Sequence, residues 1–144
     1  MKKGFTLIEL LIAVSIVIMT AAGTAAVFSD YDNIKNNTDI NMCESIVLGT
    51  INQAKQYCRE KQKPGYILFD IINSEIRFYC DGKRVDAFSF PKGIKIKSVN
   101  TKLSKIDINS RGITSDAGTI TLKDRNGKLY KITVNVGVGY VEIK

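Results

Sequence analysis

Hydrophobic residues follow three successive rhythms along this chain. From Phe5 to Phe28 almost every position is apolar or small, and Glu9 is the one charged residue. That run predicts a helix apolar on all sides, and at 1.5 Å per residue it would be roughly 36 Å long, enough to cross a bilayer with some tilt. The chain turns polar at Ser29-Asp30-Tyr31-Asp32-Asn33. Apolar positions then return every third or fourth residue at Ile40, Cys43, Val47, Ile51, Ala54 and Cys58, with Ile34, Ile46, Thr50 and Tyr57 widening the same face. This is the period of an amphipathic helix with one buried stripe. Pro64-Gly65 should end it. The two stretches together predict one long helix from Phe5 to about Lys61, bent at Gly23 or near Asn36, where Thr38 or Asp39 would cap a restart.

After Pro64 the period falls to two. Tyr66–Ile71 and Glu75–Cys80 are predicted strands joined at Asn73-Ser74, and Asp81-Gly82 is a type I′ hairpin signal leading into Arg84–Phe90. Ile94–Val99 and Lys105–Ile108 alternate, so each has one buried and one wet face. Strands Gly118–Leu122 and Leu129–Val136 flank an Asn126-Gly127 turn, and Gly137 and Gly139 allow a reversal into Tyr140–Ile143. The expected fold class is therefore α+β, a long N-terminal α-helix packed against a C-terminal antiparallel β-sheet or β-sandwich head. With 144 residues there is room for an anchor and one modest domain. Residues 5–28 are the expected transmembrane part, 29–63 the amphipathic second half of the helix, and 64–144 the β-rich head.

Glu9 changes the reading of the first helix. A carboxylate about one turn into hydrocarbon costs on the order of 3 kcal/mol, so something must supply a partner. An ordinary secretory signal, with Ala21-Ala22-Gly23-Thr24-Ala25 as a loose cleavage site, would not carry an acid in its apolar core, nor would its apolar run continue so far. A plain membrane anchor meets the same charge cost.

The stretch Gly4-Phe5-Thr6-Leu7-Ile8-Glu9-Leu10-Leu11-Ile12-Ala13-Val14 resembles the processing motif of type IV pilins and type II secretion pseudopilins. The resemblance implies a leader of residues 1–4, cut after Gly4 by a prepilin peptidase, and N-methylation of Phe5. It also implies that Glu9 meets the Phe5 amine of a neighbouring subunit in a filament. Polar Thr6, Ser15, Thr20 and Thr24 are candidates for bonds between packed helices. Gly112-Ile113, Gly118–Leu122 and Gly139–Ile143 resemble the C-terminal half of GspH/FimT-type minor pseudopilins, which implies the pilin fold and a minor subunit that primes or caps its filament. Residues 5–28 lack the mid-helix proline that many pilins carry. The implied location is a single-pass membrane precursor with its N-terminus cytoplasmic, as Lys2 and Lys3 require, and later a cell-surface filament. Pilus, competence and secretion systems all fit.

Composition narrows the chemistry. Histidine is absent, which removes the commonest general base and metal ligand. Ser110, Ser115 and Cys80 have no imidazole to activate them. Asp116, Asp124 and Asn126 do not form a calcium-loop series, and Asp124-Arg125-Asn126-Gly127 reads as turn chemistry. Gly137-Val138-Gly139 precedes no helix and is no phosphate loop. The reading is a structural subunit, with no enzyme, cofactor or metal.

Three cysteines cannot all pair within one chain. Cys43 and Cys58, if on one helix, lie about 22 Å apart, beyond disulfide reach. A bridge from Cys80, with Cys58 the preferred partner, and three buried thiols are the two readings.

The net charge of +7 falls to near +5 once Lys2 and Lys3 are removed. Lys92, Lys95, Lys97, Lys102 and Lys105 gather in the middle strands, followed by Arg111, Lys123, Arg125, Lys128 and Lys131. Outward lysines protect sheet edges and solvate a surface. The alternative is a phosphate-contacting patch at Lys123, Arg125, Lys128 and Lys131, since some FimT-like proteins serve DNA uptake.

Overall fold

The computed structural model describes residues 6–135 and 141–143, with side chains for all of these except 22–30 and 141–143. Gly4 and Phe5 at the expected cleavage point lie outside the described residues, as do Gly137 and Gly139. The chain forms two compact units, Met1–Asn37 and Thr38–Lys144. A single helix, α1 (Leu7–Lys61), runs without interruption through both, so Thr38 and Asp39 cap no restart.

In the first unit, Leu7, Ile8, Leu10, Leu11, Ile12, Val14, Ile16, Val17, Ile18 and Met19 are each between 49% and 78% exposed. Their positions circle the helix, so no face of it is polar. The Ser15 hydroxyl donates to the Leu11 and Ile12 carbonyls, and that of Thr20 to those of Ile16 and Val17. Each is satisfied by its own helix, which lowers the cost of placing it in an apolar surrounding. Among the described residues no helix is long and apolar enough to cross a membrane. Thr6–Ala21 would cover about 24 Å as helix, against a hydrocarbon thickness of about 30 Å. The expected span over 5–28 needs Phe5 and the side chains of 22–28 as well. Ile34 is 64% exposed and does not extend the buried stripe.

In the second unit, α1 buries Ile40, Cys43, Val47, Ile51, Ala54 and Cys58. The helix ends in a Schellman motif, because Lys63 N donates to Cys58 O at 3.1 Å and Gln62 N to Arg59 O at 3.3 Å, with Gln62 left-handed at φ 52°. Among the described residues eight strands follow: β1 (Gly65–Asp70), β2 (Glu75–Cys80), β3 (Lys83–Ser89), β4 (Lys95–Asn100), β5 (Lys105–Ile108), β6 (Gly118–Lys123), β7 (Leu129–Val134) and β8 (Val141–Ile143). They form two antiparallel sheets, ordered β3-β2-β1-β5 and β4-β6-β7-β8. Ile67, Phe69, Ile76, Phe78, Cys80, Ile106 and Ile108 from the first sheet share one core with Ile96, Ile120, Leu122, Ile132 and Val134 from the second and with the helix stripe. This is an α+β fold, a long helix with two antiparallel sheets and no closed barrel among the described residues. β3 is an edge strand, exposed apart from Phe88, and it carries Lys83, Arg84 and Asp86. Charges on an unpaired edge oppose strand addition.

Two turns show how local chemistry sets register. Asp81 and Gly82 both have positive φ, 52° and 72°, as a type I′ hairpin between β2 and β3 requires. The β6–β7 connection is different from the two-residue turn that Asn126-Gly127 suggests. Gly127 N donates to Asp124 O, Asp124 N donates to Lys128 O, and only Gly127 is left-handed, at φ 86°. This is a type I turn closed by a glycine bulge. Asp124 makes it the better choice, because its buried carboxylate accepts Lys128 N at 2.8 Å and the Tyr130 hydroxyl at 3.4 Å.

Glu44 is buried on α1, and its Oε1 has no hydrogen-bond partner. Desolvation raises its pKa above the ordinary carboxylate value. A raised folded pKa means the charged form opposes folding at neutral pH, and this cost disappears as pH falls through the folded and then the unfolded value. Glu44→Gln should therefore stabilise the protein by about 1 kcal/mol at pH 7 and by nothing near pH 4. Thermal melts of the two proteins across that range provide the check. A parallel offset at every pH would contradict the assignment.

Candidate assembly site

Helix α1 begins with a reciprocal cap. Thr6 N donates to Glu9 Oε2 at 2.9 Å, Thr6 Oγ1 donates to the same oxygen at 2.8 Å, and Glu9 N lies 3.4 Å from Thr6 Oγ1. Thr-x-x-Glu is the capping-box pattern, in which an N-terminal hydroxyl and a carboxylate three residues later satisfy each other's backbone donors. An acid in the first turn also complements the positive end of the helix dipole. Both Thr6 bonds fall on Oε2, so the second carboxylate oxygen points to no partner among the described residues. Among the described residues Glu9 is thus half satisfied. Thr6 is spent on this cap rather than set aside for a neighbouring helix. Cleavage after Gly4 would leave Thr6 and its N–H in place, so the cap survives processing.

The basic residues separate into different roles. Arg125 Nη2 donates to Asp39 Oδ2 at 2.5 Å and its Nε to the Lys92 carbonyl at 3.0 Å. Its side chain lies where a Cβ on Gly93 would stand, 2.6 Å from Arg125 Cγ, and Gly93 has φ +93°. Arg125 therefore clamps the β6–β7 turn to α1 and to the turn before β4. Two of its nitrogens are thus already engaged, by a carboxylate and a carbonyl. Lys128 Nζ lies 5.1 Å from the centre of the Tyr130 ring. Lys123 and Lys131 remain exposed on the outer face of the second sheet, where Lys123 sits directly opposite Lys95. A second basic surface was not expected from the sequence. A cleft of about 410 Å³ is lined by Tyr57, Lys61, Lys63, Asp81, Lys83 and Arg84, with Lys63 paired to Asp81.

All three cysteines are free and buried. Burial, with Asp39 nearby, pushes the Cys43 thiol up to about 11. Among the described residues no group of His, Cys, Asp and Glu is arranged to hold a metal ion.

A prokaryotic N-terminal methylation motif matches residues 1–25, the stretch that contains Gly4, Phe5 and the Thr6–Glu9 cap. That motif is similar to the N-terminal motif of type IV pilins and pseudopilins. The fold of the chain is similar to that of the minor pseudopilin EpsH from the Type 2 Secretion System of Vibrio cholerae, with a TM-score of 0.56 at 8% sequence identity over 72% of this chain and 94% of that one. No curated protein sequence matches. Motif and fold together are those of a structural subunit, not an enzyme. The motif implies processing by prepilin peptidase and assembly with other pseudopilins.

Proposed function

We propose that the protein is a minor pilin or pseudopilin that primes or caps a type IV pilus or a type II secretion-like filament. Prepilin peptidase cuts after Gly4, Phe5 is N-methylated, and residues 5–28 hold the subunit in the membrane with its N-terminus cytoplasmic. On assembly, the apolar faces from Leu7 to Met19 leave lipid for the helical core of the filament, and the β-rich head faces outward at the cell surface. Glu9 keeps its Thr6 cap through one oxygen and offers the other to the Phe5 amine of the adjoining subunit. The observation that carries this reading is the N-terminal unit itself. From Leu7 to Met19 its apolar side chains are exposed all round the helix, and the one acid of that stretch sits one turn in, half satisfied by its own cap among the described residues. Intact mass of the mature protein is the test. The expected result is loss of Met1 to Gly4 plus one methyl group, whereas cleavage near Ala22 would refute the reading.

A second reading, a pilus-associated receptor for DNA uptake, draws on one arrangement in the head. Lys95 and Lys123 are direct cross-strand partners, and such like-charge neighbours repel unless an anion lies across them. Lys131 is on the same outer face, two residues along from the Lys123 level. Phosphate binding there would weaken steeply with salt and ignore sequence. Low-salt gel shifts with the detergent-solubilised protein should then lose the complex when Lys123 and Lys131 are reversed to Glu. No shift in the parent protein, or a shift unaltered by the reversal, removes this reading.

A further inference from the structure

The last turn of α1, the first residue of β1 and the last residue of β2 meet at one place in the core. Gly65 opens β1 and is the register partner of Cys80, so the two residues face each other across the ladder. On the sheet face that the Cys80 side chain shares, Gly65 abuts Cys58, whose Sγ lies 2.7 Å from where a Cβ on Gly65 would stand. Only the missing side chain leaves room for the sulfur. The two thiols are within side-chain hydrogen-bonding reach of each other. Cys80 Sγ also lies 4.0 Å from the Lys63 carbonyl, in the link that closes the helix. Cys58 is fully buried and Cys80 is 5% exposed. Cys43 is four turns earlier on α1 and cannot reach either, since fifteen residues of helix place it about 22 Å from Cys58.

We infer that Cys58 and Cys80 form a disulfide in the mature protein, pinning the end of the helix to strand β2 across Gly65. The inference rests on the proposed topology, which puts the head on the oxidising side of the membrane. The bond forms by exchange with a small-molecule or protein disulfide. Cys80, the less buried thiol, attacks as its thiolate and releases one thiol of the oxidant. Cys58 then displaces the second, so two cysteine thiols and one disulfide become one protein disulfide and two thiols. Burial pushes the Cys58 thiol up, with Cys80 adding to the effect, which makes exchange slow once the head has closed. Oxidation therefore belongs to the folding stage, and afterwards the same burial shields the bond from reductants.

The test lyses cells directly into acid to quench exchange, dissolves the pellet in denaturant with an alkylating agent so that buried thiols are reached, and then purifies the full chain. Full oxidation leaves one alkylated residue, Cys43, and a protease digest in which the Cys58 and Cys80 peptides are linked. Reducing the purified protein should lower its melting midpoint by about 10 °C. Three alkylated cysteines, or a linkage that includes Cys43, would overturn the inference. A Ser110→Cys variant, labelled in whole cells with an impermeant maleimide at this exposed loop, reports the head's location separately. Labelling of that variant from outside, together with three reduced native cysteines, leaves the topology standing and rejects the bridge.

Discussion

Replacing Glu9 by alanine is expected to reduce incorporation into filaments by about 100-fold while the precursor still accumulates in the membrane fraction. That magnitude follows from the chemistry of the contact. A carboxylate and an ammonium meeting in an apolar filament core are worth about 3 kcal/mol to the assembly, since breaking a buried pair strands one charge, and each 1.4 kcal/mol is tenfold in an equilibrium. Alanine removes this pair and also the cap on Thr6 N, whereas membrane residence, which depends on the apolar faces from Leu7 onward, is made easier by loss of the charge. Glu9→Gln separates the two roles. Its amide oxygen can still accept from Thr6, so the helix start is kept, but the charge for the neighbouring amine is gone. Incorporation should fall nearly as far as with alanine. Thr6→Val weakens only the cap and should cost less than tenfold, because a cap contributes about 1 kcal/mol. The measurement is the amount of subunit in sheared filaments relative to the membrane, by immunoblot. Equal incorporation of Glu9→Ala and the parent would remove the central premise of the assembly site.

In the head, Gly112→Ala is expected to destabilise the protein by about 3 kcal/mol, a severe loss for so small a domain. Gly112 sits in the loop after β5, at φ +75°, and a Cβ there would stand 2.4 Å from the Lys55 carbonyl of α1. Backbone cannot yield as a flexible side chain can, so the loop must lift from the helix. That would also disturb the turn held by Asn109, whose Oδ1 accepts from Arg111 N and Ile113 N and whose carbonyl accepts from Gly112 N. Gly49→Ala supplies the contrast. Gly49 is within α1, nothing lies within 4 Å of its added Cβ, and the change should stabilise by about 0.5–1 kcal/mol. Thermal melts of the two variants in the same detergent should move in opposite directions. A melting midpoint for Gly112→Ala within about a degree of the parent would show that the loop does not rest on the helix.

The elements of the head were legible because their signals are local. Ile40, Cys43, Val47, Ile51, Ala54 and Cys58 recur with the helical period, and each is buried. The alternation in Glu75–Cys80 and Lys105–Ile108 likewise matches the inward and outward positions of β2 and β5. The Thr6–Glu9 cap was equally present in the sequence as Thr-x-x-Glu ahead of an apolar run, and was masked by the expectation that both residues serve neighbouring chains. The Asn126-Gly127 pair identified a hairpin but not its type, because the buried Asp124 decides the turn through contacts with Lys128 and Tyr130.

What the sequence determined by itself was therefore the helix, the strands, the places of the β1–β2, β2–β3 and β6–β7 reversals and the processing motif, all encoded in spacings of a few residues. Tertiary structure alone decided how eight strands divide into two sheets, that Arg125 spends its charge on Asp39 at 86 residues' distance, and that Cys58 and Cys80 converge on Gly65. Those outcomes depend on chain segments far apart in sequence being brought together by burial of a common core. No short-range pattern reports which distant side chain will occupy the space a glycine leaves open.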